Sequence, residues 1–261
     1  MKIAVIQTCA GPDTRQNLSE ACTLVNQAAD SGAELAILPE MFMSRGQSRQ
    51  DVALYAQHIP GAATDALAAV AKERGIWIIG GSLAELIPGS NKVYNACPII
   101  DSSGNLVAIY RKINLFDSQV PGATLRESEF YEAGDSPIIV NINGIKVGIG
   151  ICFDLRFPEM FRAYSKAGVE LIALPANFTA KTGFVHWEVL LRARAIENLA
   201  YVAAPNQFGV INDGIASHGN SMIVDPWGTV ITQMMEDKPG IIFAAISAHQ
   251  VQHYRAQLPV L

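Results

Sequence analysis

Short apolar runs rich in β-branched residues alternate with helical patterns along the whole chain. Runs at 3–8, 35–38, 76–83, 93–100, 107–111, 138–142, 145–152, 171–175, 201–205, 221–225, 229–233 and 241–246 predict strands. Between them Leu18, Ala21, Cys22, Val25 and Ala29 recur at the spacing of an amphipathic helix, with Asp13 or Thr14 able to cap it. Stretches 62–74, 158–167 and 186–198 behave similarly. Asn143-Gly144 predicts a two-residue hairpin turn, because both positions tolerate positive φ, and Asp225-Pro226-Trp227-Gly228 predicts a second turn. No linker, repeat or low-complexity segment intervenes, so the expectation is one α/β domain over 1–261, with mixed sheets and helices covering their outer faces. The halves are loosely alike. Strand, helix and a strand ending in Leu-Pro occur over 3–40 and again over 147–177, which would put Glu40 and Asn177 at the carboxyl ends of strands, where open α/β sheets place their sites.

Composition narrows the class. Of 261 residues 50% are hydrophobic and only 16% charged, which excludes disorder, and 21 Gly without a period exclude a collagen-like chain. The net charge of −5, with Lys and Arg scattered singly, argues against a nucleic-acid partner. No apolar run approaches the ~20 residues of a membrane span. The first six residues read as a strand without the apolar core and cleavage site of a signal peptide. Cys9, Cys22, Cys97 and Cys152 have no C-x-x-C pairing and read as reduced thiols of a cytoplasmic protein. So little charge implies a large interior or a surface buried against another subunit.

Three places set a reactive or charged group against an apolar strand: Glu40 after Ala36-Ile37-Leu38-Pro39, Lys112 after 106–111, and Cys152 after 145–151. A carboxylate in so poorly hydrated a setting suits a base, and a thiol at a strand end can be activated by a base and by backbone N–H groups. Each also has a bland explanation: a core thiol, a turn carboxylate, an ammonium reaching solvent. Their joint occurrence at strand ends is the informative feature.

With its flanking residues this set resembles the nitrilase superfamily of carbon–nitrogen hydrolases. The matching stretches are Leu38-Pro39-Glu40-Met41-Phe42, Tyr110-Arg111-Lys112-Ile113-Asn114-Leu115-Phe116-Asp117 and Gly148-Ile149-Gly150-Ile151-Cys152-Phe153-Asp154-Leu155-Arg156-Phe157-Pro158-Glu159. Glu127-Ser128, Pro175-Ala176-Asn177-Phe178, His186-Trp187-Glu188 and 192–198 extend it over nearly the whole chain. The resemblance implies a four-layer α-β-β-α sandwich without metal or organic cofactor. It further implies that Glu40 is the base for Cys152, that the thiolate attacks an amide to give a thioester, and that Lys112 with the Phe153 N–H stabilises the oxyanion. Glu127 would position substrate or Lys112, while Arg156, Phe116, Asn177 and Phe178 would contact substrate. For Arg156 a salt bridge with Asp154 or Glu159 is the competing reading, and Arg194 reads as a structural ion pair, with Glu197 as a candidate partner. A homodimer through 158–167 and 186–198 is also implied.

Within the superfamily, 186–197 and 221–228 are closest to the Nit-type amidases that release 2-oxoglutarate and cysteinylglycine from deaminated glutathione. An ω-amidase acting on 2-oxoglutaramate, or hydrolysis of a nitrile or an N-carbamoyl amino acid, is the alternative. The loop 208–217 carries a single charge, Asp213, where that subgroup often has basic residues, and Asn220 replaces its usual His. Two readings from other classes stay open: a silent scaffold, and a Cys/His hydrolase with His186 or His218 as base. His249 and His253 lack the Glu of a metalloprotease motif and read as surface residues of a terminal turn. Leu258-Pro259-Val260-Leu261 stops where relatives continue with a basic, aromatic tail, so a trimmed chain or a different assembly is expected.

Overall fold

A computed structural model of the chain describes residues 1–46, 48–120, 124–211 and 215–260. Its strands are β1 (Lys2–Gln7), β2 (Leu35–Ile37), β3 (Trp77–Ile79), β4 (Leu83–Leu86), β5 (Val93–Ile100), β6 (Leu106–Arg111), β7 (Asp117–Ser118), β8 (Leu125–Arg126) and β9 (Tyr131–Glu132) in the first half. The second half holds β10 (Ile139–Ile142), β11 (Ile145–Ile149), β12 (Leu171–Ala173), β13 (Tyr201–Ala204), β14 (Phe208–Ile211), β15 (Ile215–His218), β16 (Met222–Val224), β17 (Val230–Gln233) and β18 (Gly240–Ala245). The helices are α1 (Thr14–Asp30), α2 (Arg49–Tyr55), α3 (Ala62–Arg74), α4 (Pro158–Lys166), α5 (Ala180–Asn198) and α6 (Ala248–Gln257).

The likeness between halves becomes a repeated sheet. One sheet runs β18-β1-β2-β3-β5-β4 and the other β10-β11-β12-β13-β16-β17. In each, an antiparallel edge is followed by three parallel strands and two antiparallel ones. The strand alternation that puts successive side chains on opposite faces explains the layering. Ile3, Val5, Leu35 and Ile37 face the second sheet, packing with Val147, Ile149, Leu171 and Ala173. Ala4, Ile6, Ala36 and Leu38 face outward against Leu24, Val25 and Ala28 of α1 and Leu67, Val70 and Ala71 of α3. Phe161 and Tyr164 of α4 with Trp187, Leu191 and Ala195 of α5 cover the other side. The result is the four-layer α-β-β-α sandwich with mixed sheets.

Local chemistry fixes the boundaries. Asp13 caps α1 by accepting from the N–H groups of Arg15 and Gln16, and Asn143 and Gly144 take φ of 49° and 85° in the β10–β11 turn. Several expectations need correction. The run 76–83 is two strands, because Gly81 at φ 58° turns the chain between β3 and β4. The strand expected over 145–152 ends at Ile149, and Cys152 opens a single-turn helix, Cys152–Arg156. Helix α5 begins at Ala180, six residues before the expected start. The loop around 208–217 is the hairpin β14–β15, and the terminal turn is α6, with His249 and His253 exposed on it. Asp213 lies outside the described residues. No helix is long and apolar enough to cross a membrane, among the described residues.

Two glycines give a contrast that tests this backbone. At Gly144 a Cβ would meet open space, so G144A should cost only the left-handed backbone penalty of about 1 kcal/mol. At Gly81 a Cβ would fall 2.1 Å from the Pro39 carbonyl oxygen, so G81A must move the segment carrying Glu40. Thermal denaturation should show a loss of about 2–4 °C for G144A and a much larger one for G81A; equal shifts would contradict the packing described.

Candidate active site

The site lies at the carboxyl ends of equivalent strands in the two sheets. Leu38 just past β2 donates its N–H to Ile79 O at 3.0 Å, and Leu174 just past β12 donates to Ala203 O at 2.9 Å. The matching Leu-Pro steps then deliver Glu40 and Asn177 to one cleft of about 760 Å³, together with Lys112, Glu127 and Cys152.

Glu40 is held on every side. The following residue, Met41, sits at φ 55° with its N–H on Ser82 Oγ at 3.0 Å, and Gln207 Nε2 caps the Glu40 and Met41 carbonyls at 3.0 and 3.1 Å. The Glu40 Oε1 accepts from Lys112 Nζ and from Asn95 Nδ2, both at 2.9 Å, while Oε2 accepts from the Asn177 N–H at 2.7 Å. Lys112 follows β6, with its N–H on Asn95 O at 2.9 Å and its carbonyl accepting from Gly134 at 2.8 Å. Its ammonium, 1% exposed, also reaches both oxygens of Glu127, at 3.1 and 2.9 Å. Glu127 opens the short helix Glu127–Glu129 and accepts from the Phe116 N–H at 2.7 Å.

Cys152 takes φ 45°, and its N–H bonds Pro175 O at 2.9 Å. The fully buried Asp154 shapes that turn. Its Oδ2 accepts from Ile151 N–H at 2.8 Å and Tyr110 OH at 2.7 Å, and its Oδ1 from the backbone and side-chain nitrogens of Asn114, both at 2.9 Å. From behind, Arg194 donates twice to Leu155 O, at 3.0 and 2.7 Å, and pairs with Glu197 at 2.9 Å. Phe153, second residue of the turn, has no acceptor for its N–H inside that turn, the usual state of a helix's leading donors.

Electrostatics follow from burial. Desolvation disfavours the Lys112 ammonium, but the adjacent Glu127 and Glu40 carboxylates outweigh it and hold it well above its ordinary range. Desolvation raises Glu127, with Lys112 opposing and Glu40 reinforcing. The Cys152 thiol is pushed well up by burial and by the Glu40 charge, against the opposing pull of Lys112 and the Asn177 N–H. The group at rest is therefore a neutral thiol beside a carboxylate and an ammonium. A thiol so placed can attack a carbonyl carbon as the carboxylate takes its proton.

Phe116, Phe153, Arg156, Asn177 and Phe178 all line the cleft. Arg156 forms no ion pair with Asp154 or Glu159; it lies over the rings of Phe178 and Phe153, at 5.1 and 5.7 Å, and meets His186 Nδ1 at 3.2 Å. Asp154 is instead consumed by the turn that carries Cys152. Neither His186 nor His218 lines the cleft, so the Cys/His arrangement is not assembled. Sequence reasoning missed Asn95, Arg45 and Ser217. Asn95 was legible as an amide inside the apolar run of β5. Its Nδ2 faces Glu40, which leaves Oδ1 buried without a partner among the described residues.

The fold and the cleft define a class, and comparison with known proteins agrees. Residues 2–256 match the carbon–nitrogen hydrolase family, and the chain belongs to it. It is 39% identical over 260 residues to the omega-amidase NIT2 of Xenopus tropicalis, covering 99% of this chain and 93% of that one. It is also 39% identical over 264 residues to the deaminated glutathione amidase of Mus musculus, covering 99% and 81%. The C. elegans NitFhit crystal structure superposes with a TM-score of 0.91 at 35% identity, over 99% of this chain and 63% of that longer chain.

Two measurements test the site. The ultraviolet thiolate absorbance, taken as the difference between the unmodified protein and C152A, should show no Cys152 thiolate at neutral pH, because the thiol pKa is raised. A full thiolate signal there would contradict that state. Substituting Lys112 by Met leaves two carboxylates facing each other in the interior, so K112M should lose about 3–5 kcal/mol in denaturant unfolding. An unchanged midpoint would show that the ammonium does not hold the pair.

Proposed function

We propose that the protein is a single-domain thiol amidase, with Glu40, Lys112, Cys152 and Glu127 as its catalytic residues. The observation that carries this reading is the three-way contact of Lys112 with Glu40 and Glu127 beside the Cys152 thiol. Glu40 takes the thiol proton as sulfur attacks the amide carbon. The new oxyanion receives the Lys112 ammonium and the Phe153 N–H. Glu40, now protonated, delivers that proton to the departing amine, leaving a thioester on Cys152. Glu40 next draws a proton from water, which attacks the thioester and frees the acid and the thiol. Glu127 keeps Lys112 charged and aimed. No step needs a metal or organic cofactor.

The substrate is a small-molecule amide. The Arg156 guanidinium on the cleft wall, a group able to pair with a substrate carboxylate, and the two relatives support a 2-oxoglutaramate-like moiety. Deaminated glutathione, cleaved to 2-oxoglutarate and cysteinylglycine, is the leading candidate, and 2-oxoglutaramate, losing ammonia, is the second. Cysteinylglycine and ammonia release, assayed side by side, should show turnover of at least one, and C152A and E40Q should each abolish it. Activity retained in E40Q would remove Glu40 as base; turnover of neither amide by the unmodified enzyme would remove the substrate assignment.

A cytoplasmic homodimer belongs to the same proposal. Phe184, Val185 and Val189 are 83%, 65% and 65% exposed on α5, an apolar stripe that a second copy would cover, next to α4. Light scattering should give a dimer mass for the unmodified protein and a monomer mass for V189E; a dimer unaffected by V189E would place the interface elsewhere.

A further inference from the structure

Arg45 follows Glu40 by five residues, is 6% exposed, and lines the cleft. No ion pair is formed by it among the described residues. Its guanidinium is held instead by three backbone carbonyls, a hydroxyl and a cysteine sulfur. Nε donates to Ala10 O at 3.2 Å, and Nη2 to Cys9 Sγ at 3.1 Å. Nη1 reaches Phe208 O at 3.1 Å, Gly209 O at 3.3 Å and Ser217 Oγ at 2.9 Å. Burial lowers its pKa to about 10, with Cys9 opposing, so it stays a cation at neutral pH.

Such a group is costly to bury unless something anionic shares its site. Within the cleft the two carboxylates, Glu40 and Glu127, are both engaged by Lys112. That leaves two further cations on its walls, Arg156 near the nucleophile turn and Arg45 at the β14–β15 hairpin. The polar chain behind Arg45 is directional. Ser217 Oγ accepts from Arg45 and donates to Asn177 Oδ1 at 2.5 Å. The Asn177 amide is thereby oriented with its oxygen committed, and Nδ2 has no hydrogen-bond acceptor among the described residues, on a side chain that lines the cleft. One Nη2 N–H of Arg45 is likewise without an acceptor there. A fixed cation beside a fixed amide donor is the chemistry that receives a carboxylate, and its rigidity limits the entropy lost on binding.

We infer that Arg45 is a specificity-determining residue that selects amides carrying a second carboxylate, the first being met by Arg156. This rests on the amidase reading above and refines it. The hairpin strands themselves carry no Lys or Arg, over 208–211 and 215–218. Arg45 brings the charge to the hairpin from a different part of the chain. Between the two leading substrates, deaminated glutathione has a carboxylate at each end and 2-oxoglutaramate has one, so the inference favours the former.

The test is a ratio, which a loss of folded enzyme does not move. kcat/KM is measured for both amides in the unmodified enzyme, R45Q and R45K. The preference for the two-carboxylate amide should fall about tenfold or more in R45Q, through KM, and return to within about threefold in R45K. Calorimetric binding of the same two amides to C152A and to the C152A/R45Q double variant reads the same preference without turnover. It keeps the inference testable even if the enzyme hydrolyses neither. An equal loss on both amides, or R45K behaving as R45Q, would make Arg45 a structural strap and overturn the inference.

Discussion

An ammonium with almost no contact with water sits between two carboxylates, and the rest of the site is arranged around it. Lys112 could not remain charged in that position alone, since removal from water costs an isolated ion several kcal/mol. Glu40 and Glu127 could not both remain ionised in one pocket without it. The three groups therefore specify one another, and each is delivered by a different piece of the chain: the end of β2, the end of β6 and the short helix at Glu127. With Lys112 engaged, Glu40 presents its remaining lone pairs to the Asn177 N–H and the Asn95 amide, an orientation that leaves little freedom to the carboxylate. The proposed nucleophile enters this frame protonated, so its activation is coupled to attack and does not precede it.

The sandwich supplies the rigidity. Both sheets repeat one order of strand directions, and in each the middle parallel strand ends in a Leu-Pro step hydrogen-bonded to its neighbour in the same way. Two equivalent strand ends are thereby brought to one cleft from opposite sheets. Around them, polar groups buried at full depth serve the backbone: Asp154 organises the Cys152 turn, Arg194 fixes it from α5, and Gln207 caps the Glu40 segment. The low charge content is explained by this interior. The charges that do enter it are almost all engaged with another charge or with backbone.

Much of this was legible in the sequence where local rules and tertiary structure agree. The strand runs, a cap at Asp13 or Thr14, the Asn143-Gly144 turn, α3 and the fold class follow from periodicity and turn chemistry, and Glu40, Lys112 and Cys152 stood out as polar residues ending apolar runs. What was not legible depends on distant partners. Arg45 is one Arg in a polar segment until the hairpin, whose Phe208 lies 163 residues away, comes to meet it. Ser217 and Asn95 are ordinary strand residues whose importance lies in what they face. The break at Gly81 and the early end of β11 were hidden by continuous hydrophobicity, since apolar content persists where the backbone turns. The α5 start was missed because its first turn, with Thr182 and Gly183, carries weak helix propensity and is held by packing against the hairpin.

The central claim is that the amide is opened by Cys152 under the control of the Glu40–Lys112–Glu127 cluster. Peptide mass spectrometry on enzyme quenched in acid during turnover of deaminated glutathione tests it most directly. The account predicts an acyl adduct with the mass of the 2-oxoglutaryl group, confined to the Cys152 peptide and absent from E40Q. Turnover without an adduct, or an adduct that forms equally in E40Q, would contradict it.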